Sequence, residues 1–174
     1  MARNNYNNSN NNAHKELLIR WLNDAYAMEQ SLIPVMENHA KDAKDHPEMQ
    51  RRIQEHAEET RRHAEMVKRC IERLGSSTSA AKTAVNKIMG QLQAISTGMS
   101  QDELVKNNIA DIATEHFEAA CYRSLIAAAE DIGDRETAQI CEEILRDEED
   151  MAHFLEQQLP RTTVEVLHEY AAAH

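Results

Sequence analysis

The sequence predicts an all-α protein, a bundle of four long helices, from three observations. Glycine, proline and aromatic residues are scarce, with 4 Gly, 3 Pro and 4% aromatics in 174 residues, which disfavours a β-rich fold with its many turns. The helix-favouring residues Ala, Glu, Gln, Met, Leu and Arg are abundant. Apolar residues recur at helical spacing in four long segments of a chain that is short enough for a single domain.

The first helix is predicted to run from about Ala13–His14 to about residue 42. Apolar side chains recur along it at intervals of three and four, from Leu18 to Met36. Residues 1–12 are rich in asparagine and have little to bury, so we expect a disordered tail there. The bundle itself is therefore predicted to begin at residue 13.

The second helix is predicted to run from Pro47 to Leu74. Proline suits the first position of a helix, and Gly75 supplies a stop signal. The connection over residues 74–101 is long and is predicted to hold a short helix of its own near residues 80–96.

The third helix is predicted to start after Ser100, which forms a capping-box pattern with Glu103 in SQDE. It should run to about Asp131, since Gly133 follows.

The fourth helix is predicted over residues 134–159, and it should stop at Pro160 because proline lacks the backbone N–H. The bundle would then cover residues 13–160. A short helix over residues 162–172 is predicted within a C-terminal segment, residues 161–174.

The lengths of the connections predict the topology. The turns near residues 42–47 and 131–134 are short, so each joins two antiparallel helices into a hairpin. The connection over residues 74–101 is long enough to cross the bundle from end to end. Two antiparallel hairpins joined by one long crossover form a ferritin-like four-helix bundle.

Each predicted long helix carries a carboxylate on or beside its apolar stripe. The same interval separates Glu29 from Glu59 and Glu118 from Glu148, so superposing one hairpin on the other would superpose these glutamates. The carboxylates are Glu29 on the first helix, Glu59 on the second, Glu115 and Glu118 on the third, and Glu148 on the fourth.

Carboxylates in an apolar core require compensation. An isolated buried carboxylate costs several kcal/mol, so it becomes protonated or recruits a cation. Lys and Arg are scarce on these stripes, and two divalent cations would balance four carboxylates. Oxygen-rich ligation with one or two imidazoles suits iron or manganese. The prediction is two iron or manganese ions per chain, with Glu59 and Glu148 as bridges and Glu29 and Glu118 as terminal ligands.

The segment EHAEETRRHAE, residues 55–65, places histidines where the helix should bury hydrocarbon. The apolar stripe that starts at Met49 passes through His56, Thr60 and His63. The sequence leaves open whether each histidine is a ligand, supports a ligand, or is a hydrogen-bonded core residue. Our interpretation is that Glu59 points inward and that one or both histidines support it.

Charge and cysteine content exclude several classes of protein. The net charge of −11 leaves no basic stripe for nucleic acid, and no apolar stretch approaches the roughly 18 residues of a membrane span. The three cysteines form no CxxC motif and are interpreted as reduced, packed thiols. The chain is therefore predicted to be cytoplasmic, with no nucleic-acid or membrane partner.

The chain resembles the YciF/YciE-like family of ferritin-like bacterial stress proteins, which is distantly related to rubrerythrins and bacterioferritins. The similar segments lie on all four predicted long helices, so the resemblance covers about residues 15–160. They are NDAYAMEQSL (23–32), EHAEET (55–60), TEHFEAACYRSL (114–125) and ILRDEEDMAHFLEQQL (144–159).

The resemblance implies a dimeric, ferritin-like domain with a carboxylate-rich di-metal site. The usual ferritin-like pattern has a histidine three residues after a glutamate on the second and fourth helices. Here Arg62 follows Glu59 and Met151 follows Glu148 at that spacing, so the imidazole ligands differ from the pattern. By position, the implied ligands are Glu29, His56 or Glu59, Glu115, Glu118 and Glu148.

The predicted function is that of a di-iron or di-manganese protein of the stress response that reduces peroxide or oxidises Fe(II), with oxygen or peroxide as its small substrate. Whether it is an enzyme stays open. One alternative is a non-enzymatic helical stress protein with a vestigial polar core, which would hold no stoichiometric metal. The other is a manganese-catalase-like enzyme, which would evolve oxygen from peroxide.

Overall fold

The computed structural model describes residues 2–78, Gly90 and 102–173, with side chains from residue 12 onward. The described residues form helices and turns and no strand. None of their helices is both long enough and apolar enough to cross a membrane. The helices are α1 (Ala2–Asp42), α2 (Pro47–Arg73), α3 (Glu103–Asp131) and α4 (Arg135–Ala172).

The helices pack as two antiparallel hairpins, as the sequence predicts. Short turns join α1 to α2 and α3 to α4, and each of these pairs is in extensive contact. The hairpins also meet, with α1 against α3 and α2 against α4. Of the crossover over residues 74–101, the structure describes residues 74–78 and Gly90, so the short helix predicted at 80–96 lies outside the described residues except for Gly90.

The predicted stop signals after α2 and α3 are confirmed. Gly75 and Gly133 have φ values of +82° and +78°, in the left-handed region that glycine adopts without strain. At each site a backbone N–H beyond the glycine returns to the last helical turn, with Ser76 N donating to Ile71 O and Asp134 N donating to Ala129 O. The turn at Gly133 is where the second hairpin reverses, and the turn at Gly75 is where the first hairpin ends and the crossover begins.

The start of α3 differs from the prediction. Its N-cap is Asp102, without a capping hydrogen bond from the side chain, and Ser100 lies outside the described residues. Glu103 is the first helical residue, whereas a capping box needs the glutamate at the third position. The Asp102 carboxylate instead lies 2.9 Å from Lys106 Nζ, which explains why it does not cap the helix.

The start of α1 also differs from the prediction at Ala13–His14. The helix begins at Ala2, so residues 2–12 are helical rather than a disordered tail. The segment contains no glycine or proline, and each residue added to an existing helix gains a hydrogen bond without repeating the cost of nucleation.

The predicted end of the fourth helix at Pro160 is wrong. α4 continues through Pro160 to Ala172, and the separate short helix at 162–172 is its last part. Beyond the proline, Thr162 and Val166 are buried and Glu165 Oε2 lies 3.4 Å from His46 Nδ1 in the α1–α2 turn. These contacts offset the roughly 3 kcal/mol that an internal proline costs a helix.

Among the described residues, the hydrophobic core consists of two clusters that lie on either side of the middle of the bundle. The first packs around Leu22, Met28 and Ile71, and its members come from all four helices. The second packs around Met36 and Leu155, near the α1–α2 turn. The buried polar residues of the central turns lie between these clusters, in a medium that hydrates charge poorly.

A buried ion pair joins α1 to α3 near the α1–α2 turn. His39 Nδ1 lies 2.7 Å from Asp111 Oδ1, and both side chains are almost fully buried. Burial by itself lowers the pKa of His39, but the hydrogen bond and charge of Asp111, with the charges of Asp42 and Glu103, outweigh it, so the pKa is raised. Such a histidine stabilises the fold below its unfolded-state pKa, and this stabilisation is lost as the pH rises through the folded-state pKa.

Replacement of His39 by glutamine should therefore change how stability depends on pH. The free energy of unfolding should fall further below that of the wild type at about pH 6 than at about pH 9, because only the protonated histidine pairs with Asp111. Urea unfolding at both pH values measures this, with His153→Gln as the control at an exposed histidine. An equal deficit at both pH values would contradict the assignment.

Candidate metal centre

Both histidines of EHAEETRRHAE, on α2, point into the interior of the bundle. His56, Thr60 and His63 are 1%, 2% and 0% exposed, in keeping with their places on the apolar stripe. The Glu59 side chain is 23% exposed, because one residue along a helix rotates the side chain by about 100°. The predicted inward orientation of Glu59 is therefore wrong, and the arrangement is reversed: the histidines face inward and Glu59 supports one of them.

Glu59 holds His56 from the outer side. Its Oε2 lies 2.9 Å from His56 Nδ1 and also accepts a hydrogen bond from Arg52 at 2.9 Å. Burial raises the pKa of Glu59, but the His56 and Arg52 hydrogen bonds and charges outweigh it and lower the pKa to about 2. The ionised carboxylate fixes the imidazole so that Nε2 faces the middle of the bundle.

The inner nitrogen of His56 meets two buried carboxylates. Its Nε2 lies 3.2 Å from Glu115 Oε2 on α3 and 3.3 Å from Glu148 Oε2 on α4. Neither of these glutamates is more than 1% exposed. Three helices thus bring one imidazole and two carboxylates together.

His63, two turns further along α2, makes a similar set of contacts. Its Nδ1 lies 2.9 Å from Glu148 Oε1 and 3.7 Å from Glu29 Oε2. Its Nε2 lies 3.0 Å from Asp147 Oδ2 at the edge of the bundle, so Asp147 supports His63 as Glu59 supports His56. The two oxygens of Glu148 therefore face different histidines.

Two residues at the centre were not predicted as part of the site. Asp147 precedes Glu148, and its acidity in ILRDEED was the only signal in the sequence. Tyr122 lies one helical turn after Glu118, is fully buried, and donates a hydrogen bond to Glu29 Oε1. This bond leaves the other oxygen of Glu29 directed towards His63.

In the part of the chain that the structure describes, two groups of side chains present ligand atoms that lie within 4.8 Å of one another. Glu148 belongs to both groups, as a residue between two neighbouring cations would. Glu59 belongs to neither, so the predicted bridge from α2 is absent from this geometry. The first group is Glu29, His63 and Glu148, and the second is His56, Glu115 and Glu148.

Glu118 is the remaining buried carboxyl group of the centre. It is 1% exposed, and its Oε1 has no hydrogen-bond partner. Burial, together with the charges of Glu148, Glu29 and Glu115, raises its pKa well above the ordinary value. Glu118 is thus buried near the other carboxylates of the centre but lies outside both close groups, and its role as a metal ligand stays a prediction.

The electrostatics of the centre follow from burial. Burial raises the pKa of Glu29, and it raises that of Glu115 to about 8 despite the opposing effect of His56. Burial would also raise the pKa of Glu148, but its two imidazole neighbours reverse the shift and lower it. Burial lowers the pKa of His63, but Glu148 and Glu29 outweigh it and raise the pKa to about 10.

The donor atoms fit divalent cations. Both oxygens of Glu115, both of Glu148 and Oε2 of Glu29 are buried without a hydrogen-bond partner, although imidazole nitrogens lie close to them. Unpaired buried carboxylate oxygens are costly, and a cation between them would satisfy several at once. The centre therefore offers oxygen and imidazole ligands to metal ions.

Comparisons with known proteins place the chain in a family. The model of a family described as "Domain of unknown function (DUF892)" matches residues 13–168. A protein from Xanthomonas campestris pv. campestris, of known crystal structure, is 36% identical to this chain. The match covers 91% of this chain and 99% of the Xanthomonas protein, with a TM-score of 0.79.

More distant structures show the fold. The Escherichia coli stress protein YciF is 22% identical over 86% of this chain and 96% of its own, with a TM-score of 0.75. A Desulfovibrio desulfuricans bacterioferritin, with a diiron site studied in different catalytic states, is 23% identical over 88% of this chain and 84% of its own, with a TM-score of 0.69. The predicted ferritin-like fold is confirmed. The chain belongs to the DUF892 family, a YciF-like family with ferritin-like relatives.

Proposed function

We propose that the chain binds two iron or manganese ions at this centre and uses them for redox chemistry in the stress response, by oxidising Fe(II) or reducing peroxide. The observation that carries the proposal is the position of Glu148. Both of its buried oxygens lack hydrogen-bond partners, and each lies beside a different imidazole in one of the two ligand groups.

The donor set and the charge support this choice of metals. Two divalent ions would balance the four buried carboxylates of Glu29, Glu115, Glu118 and Glu148. Carboxylate and imidazole ligands without thiolate suit iron or manganese. The buried cysteines Cys70 and Cys141 belong to the apolar cluster and to neither ligand group.

The residues of the centre have distinct roles in this proposal. Glu148 would contribute to the binding of both ions, and one imidazole and one further carboxylate would complete each ligand group. Glu59, Asp147 and Tyr122 hold ligands in place through hydrogen bonds. A bound pair of such ions would supply the two electrons that peroxide reduction needs.

Glu118 gives the centre a group that can hold a proton. Its Oε1 is buried without a partner, and burial and the neighbouring carboxylates favour the protonated form. Two divalent ions would lower this pKa again, so metal binding would release the proton and leave all four carboxylates ionised. The apolar clusters on both sides exclude bulk water from the centre.

One observation favours the rival function, a non-enzymatic stress protein with a polar core. The carboxylate of Glu148 lies between two imidazoles whose pKa values are raised, so protonated His56 and His63 would balance part of the charge without metal. Stoichiometric metal distinguishes the two functions. The homodimer and the cytoplasmic location stay predictions from the sequence.

Replacement of Glu148 by glutamine should abolish tight metal binding, because it removes the carboxylate shared by both groups. We expect about two ions per wild-type chain after anaerobic loading with Fe(II) or Mn(II). The Glu148→Gln variant should lose more affinity for the metal than the roughly 10–100-fold that is lost when a residue supporting a ligand is replaced. Elemental analysis after desalting measures the stoichiometry.

The neighbouring variant Glu149→Gln is a matched control, because Glu149 is exposed and pairs with Arg123. It should bind metal as the wild type does. A wild-type chain that retains no stoichiometric metal, or a Glu148→Gln variant that retains two ions, would refute the proposed centre.

Replacement of Glu59 by glutamine tests its supporting role. The variant should still bind two ions, with an affinity about 10–100-fold lower, because His56 loses the carboxylate that orients it. Titration against a competing chelator measures the affinity, and Glu58→Gln is the control at an exposed neighbour. Loss of one whole ion from Glu59→Gln would instead make Glu59 a ligand.

The reaction itself is tested on iron-loaded protein. Fe(II) held by the wild type should be oxidised faster by peroxide or by oxygen than free Fe(II), and Glu148→Gln should lose this acceleration because it lacks the shared ligand. Stopped-flow absorbance separates the two oxidants. Oxygen evolution from peroxide by manganese-loaded protein would identify a catalase-like activity instead, and no acceleration with either oxidant would leave metal binding alone.

A further inference from the structure

The inner face of α3 is polar from the end of the bundle to the metal centre. A polar side chain occurs on this face at every turn, at intervals of three or four residues. At 1.5 Å per residue, Glu103 lies about 18 Å from Glu115 along the helix axis, and Asp111 lies about 6 Å from it. In chain order, the residues are Glu103, Asn107 and Asn108, Asp111, Glu115 and Glu118.

Two of these residues that lie outside the metal centre are buried with unsatisfied polar atoms. Asn108 and Asp111 are each 2% exposed. Neither side-chain polar atom of Asn108 has a hydrogen-bond partner, and Asp111 Oδ2 has none, while its Oδ1 pairs with His39. Unpaired buried atoms of this kind destabilise a fold, which calls for a ligand that satisfies them.

The outer end of this polar face opens on an acidic cleft. The cleft has a volume of about 570 Å³ and lies between the α1–α2 turn and the ends of α3 and α4. Asp42 lines it and accepts a hydrogen bond from Asn107 at 3.0 Å, which connects the cleft to the buried part of α3. Its charged lining consists of Asp42, Asp45, Glu103 and Glu169 with Lys41 and Lys44, and His46 also lines it.

We propose that Asp111 and Asn108 form a transit site through which divalent cations pass from this cleft to the carboxylate–histidine centre. The proposal rests on the proposed function, since a transit site needs a destination. The free Oδ2 of Asp111 and the amide oxygen of Asn108 are oxygen donors of the kind that Fe(II) and Mn(II) accept. They lie one and two turns from Glu115, on the same side of α3.

The donor set suits passage rather than storage. Among the described residues, no group of three His, Cys, Asp or Glu ligands forms around Asp111, in contrast to the centre itself. A site with few ligands binds a cation strongly enough to admit it and weakly enough to release it, as conduction pathways require. The excess of carboxylates over lysines in the cleft would raise the local cation concentration.

The test compares the rate of loading with the final amount loaded. Metal-free full-length protein is mixed anaerobically with Fe(II), and free Fe(II) is captured at intervals with a chromophoric chelator. Asp111→Asn keeps an oxygen for His39 but removes the charge, so loading should be about tenfold slower, while the final stoichiometry equals that of the wild type. Glu142→Gln, which removes an exposed carboxylate of α4, should load at the wild-type rate.

Asn108→Leu is a second variant, which decides the question if Asp111→Asn does not fold. Because the Asn108 amide has no partner, leucine should leave the melting temperature unchanged or raise it, and it should still slow loading. Wild-type loading rates in the folded variants would overturn the transit site and leave the metal centre intact. Absence of iron from the wild type at equilibrium would overturn the proposed function and the transit site together.

Discussion

The burial of four carboxylates in the middle of an otherwise apolar bundle is the constraint on which the rest of the structure depends. Glu29, Glu115, Glu118 and Glu148 are all at most 1% exposed, with apolar clusters on both sides. Their charge must be compensated, because each ionised carboxylate in such a medium costs several kcal/mol. Protons on the carboxyl and imidazole groups or metal ions among them can do this, and the two compete because they use the same atoms. The two proposed functions, metal-dependent redox chemistry and a metal-free polar core, therefore differ in whether metal ions or protons compensate the same carboxylates.

The outer contacts of the centre show how the helices prepare this arrangement. Glu59 and Asp147 lie at the edge of the bundle and each holds the outer nitrogen of one histidine, so the inner nitrogens are directed towards Glu148. Tyr122 holds one oxygen of Glu29 in the same way. Side chains on packed helices, each fixed by a second residue, keep ligands closer to their working positions than loop residues would.

The same physical logic explains the errors in the predicted helix ends. Gly75 and Gly133 act locally, because their left-handed backbone conformation needs no tertiary partner, and both stop signals were predicted correctly. Pro160 also acts locally, but the burial of Thr162 and Val166 beyond it outweighs the cost, so α4 continues. A local signal predicts an end reliably only where no packing on its far side opposes it.

The sequence by itself determined the helical class, the two hairpins and the positions of Glu29, Glu115, Glu118 and Glu148 in the core, because helical periodicity and connection lengths are local properties. It also placed His56, Thr60 and His63 on the buried stripe of α2. Only the tertiary structure decided that Glu59 faces outward as a support and that Glu148 is shared between two ligand groups. The orientation of a side chain beside the stripe depends on the rotation of about 100° per residue and on its own contacts. For Glu59 these contacts are with Arg52 and His56 of the same helix, and His56 is held in turn by Glu115 of α3 and Glu148 of α4. Periodicity along one helix therefore predicts neither the outward direction of Glu59 nor the sharing of Glu148 between two ligand groups.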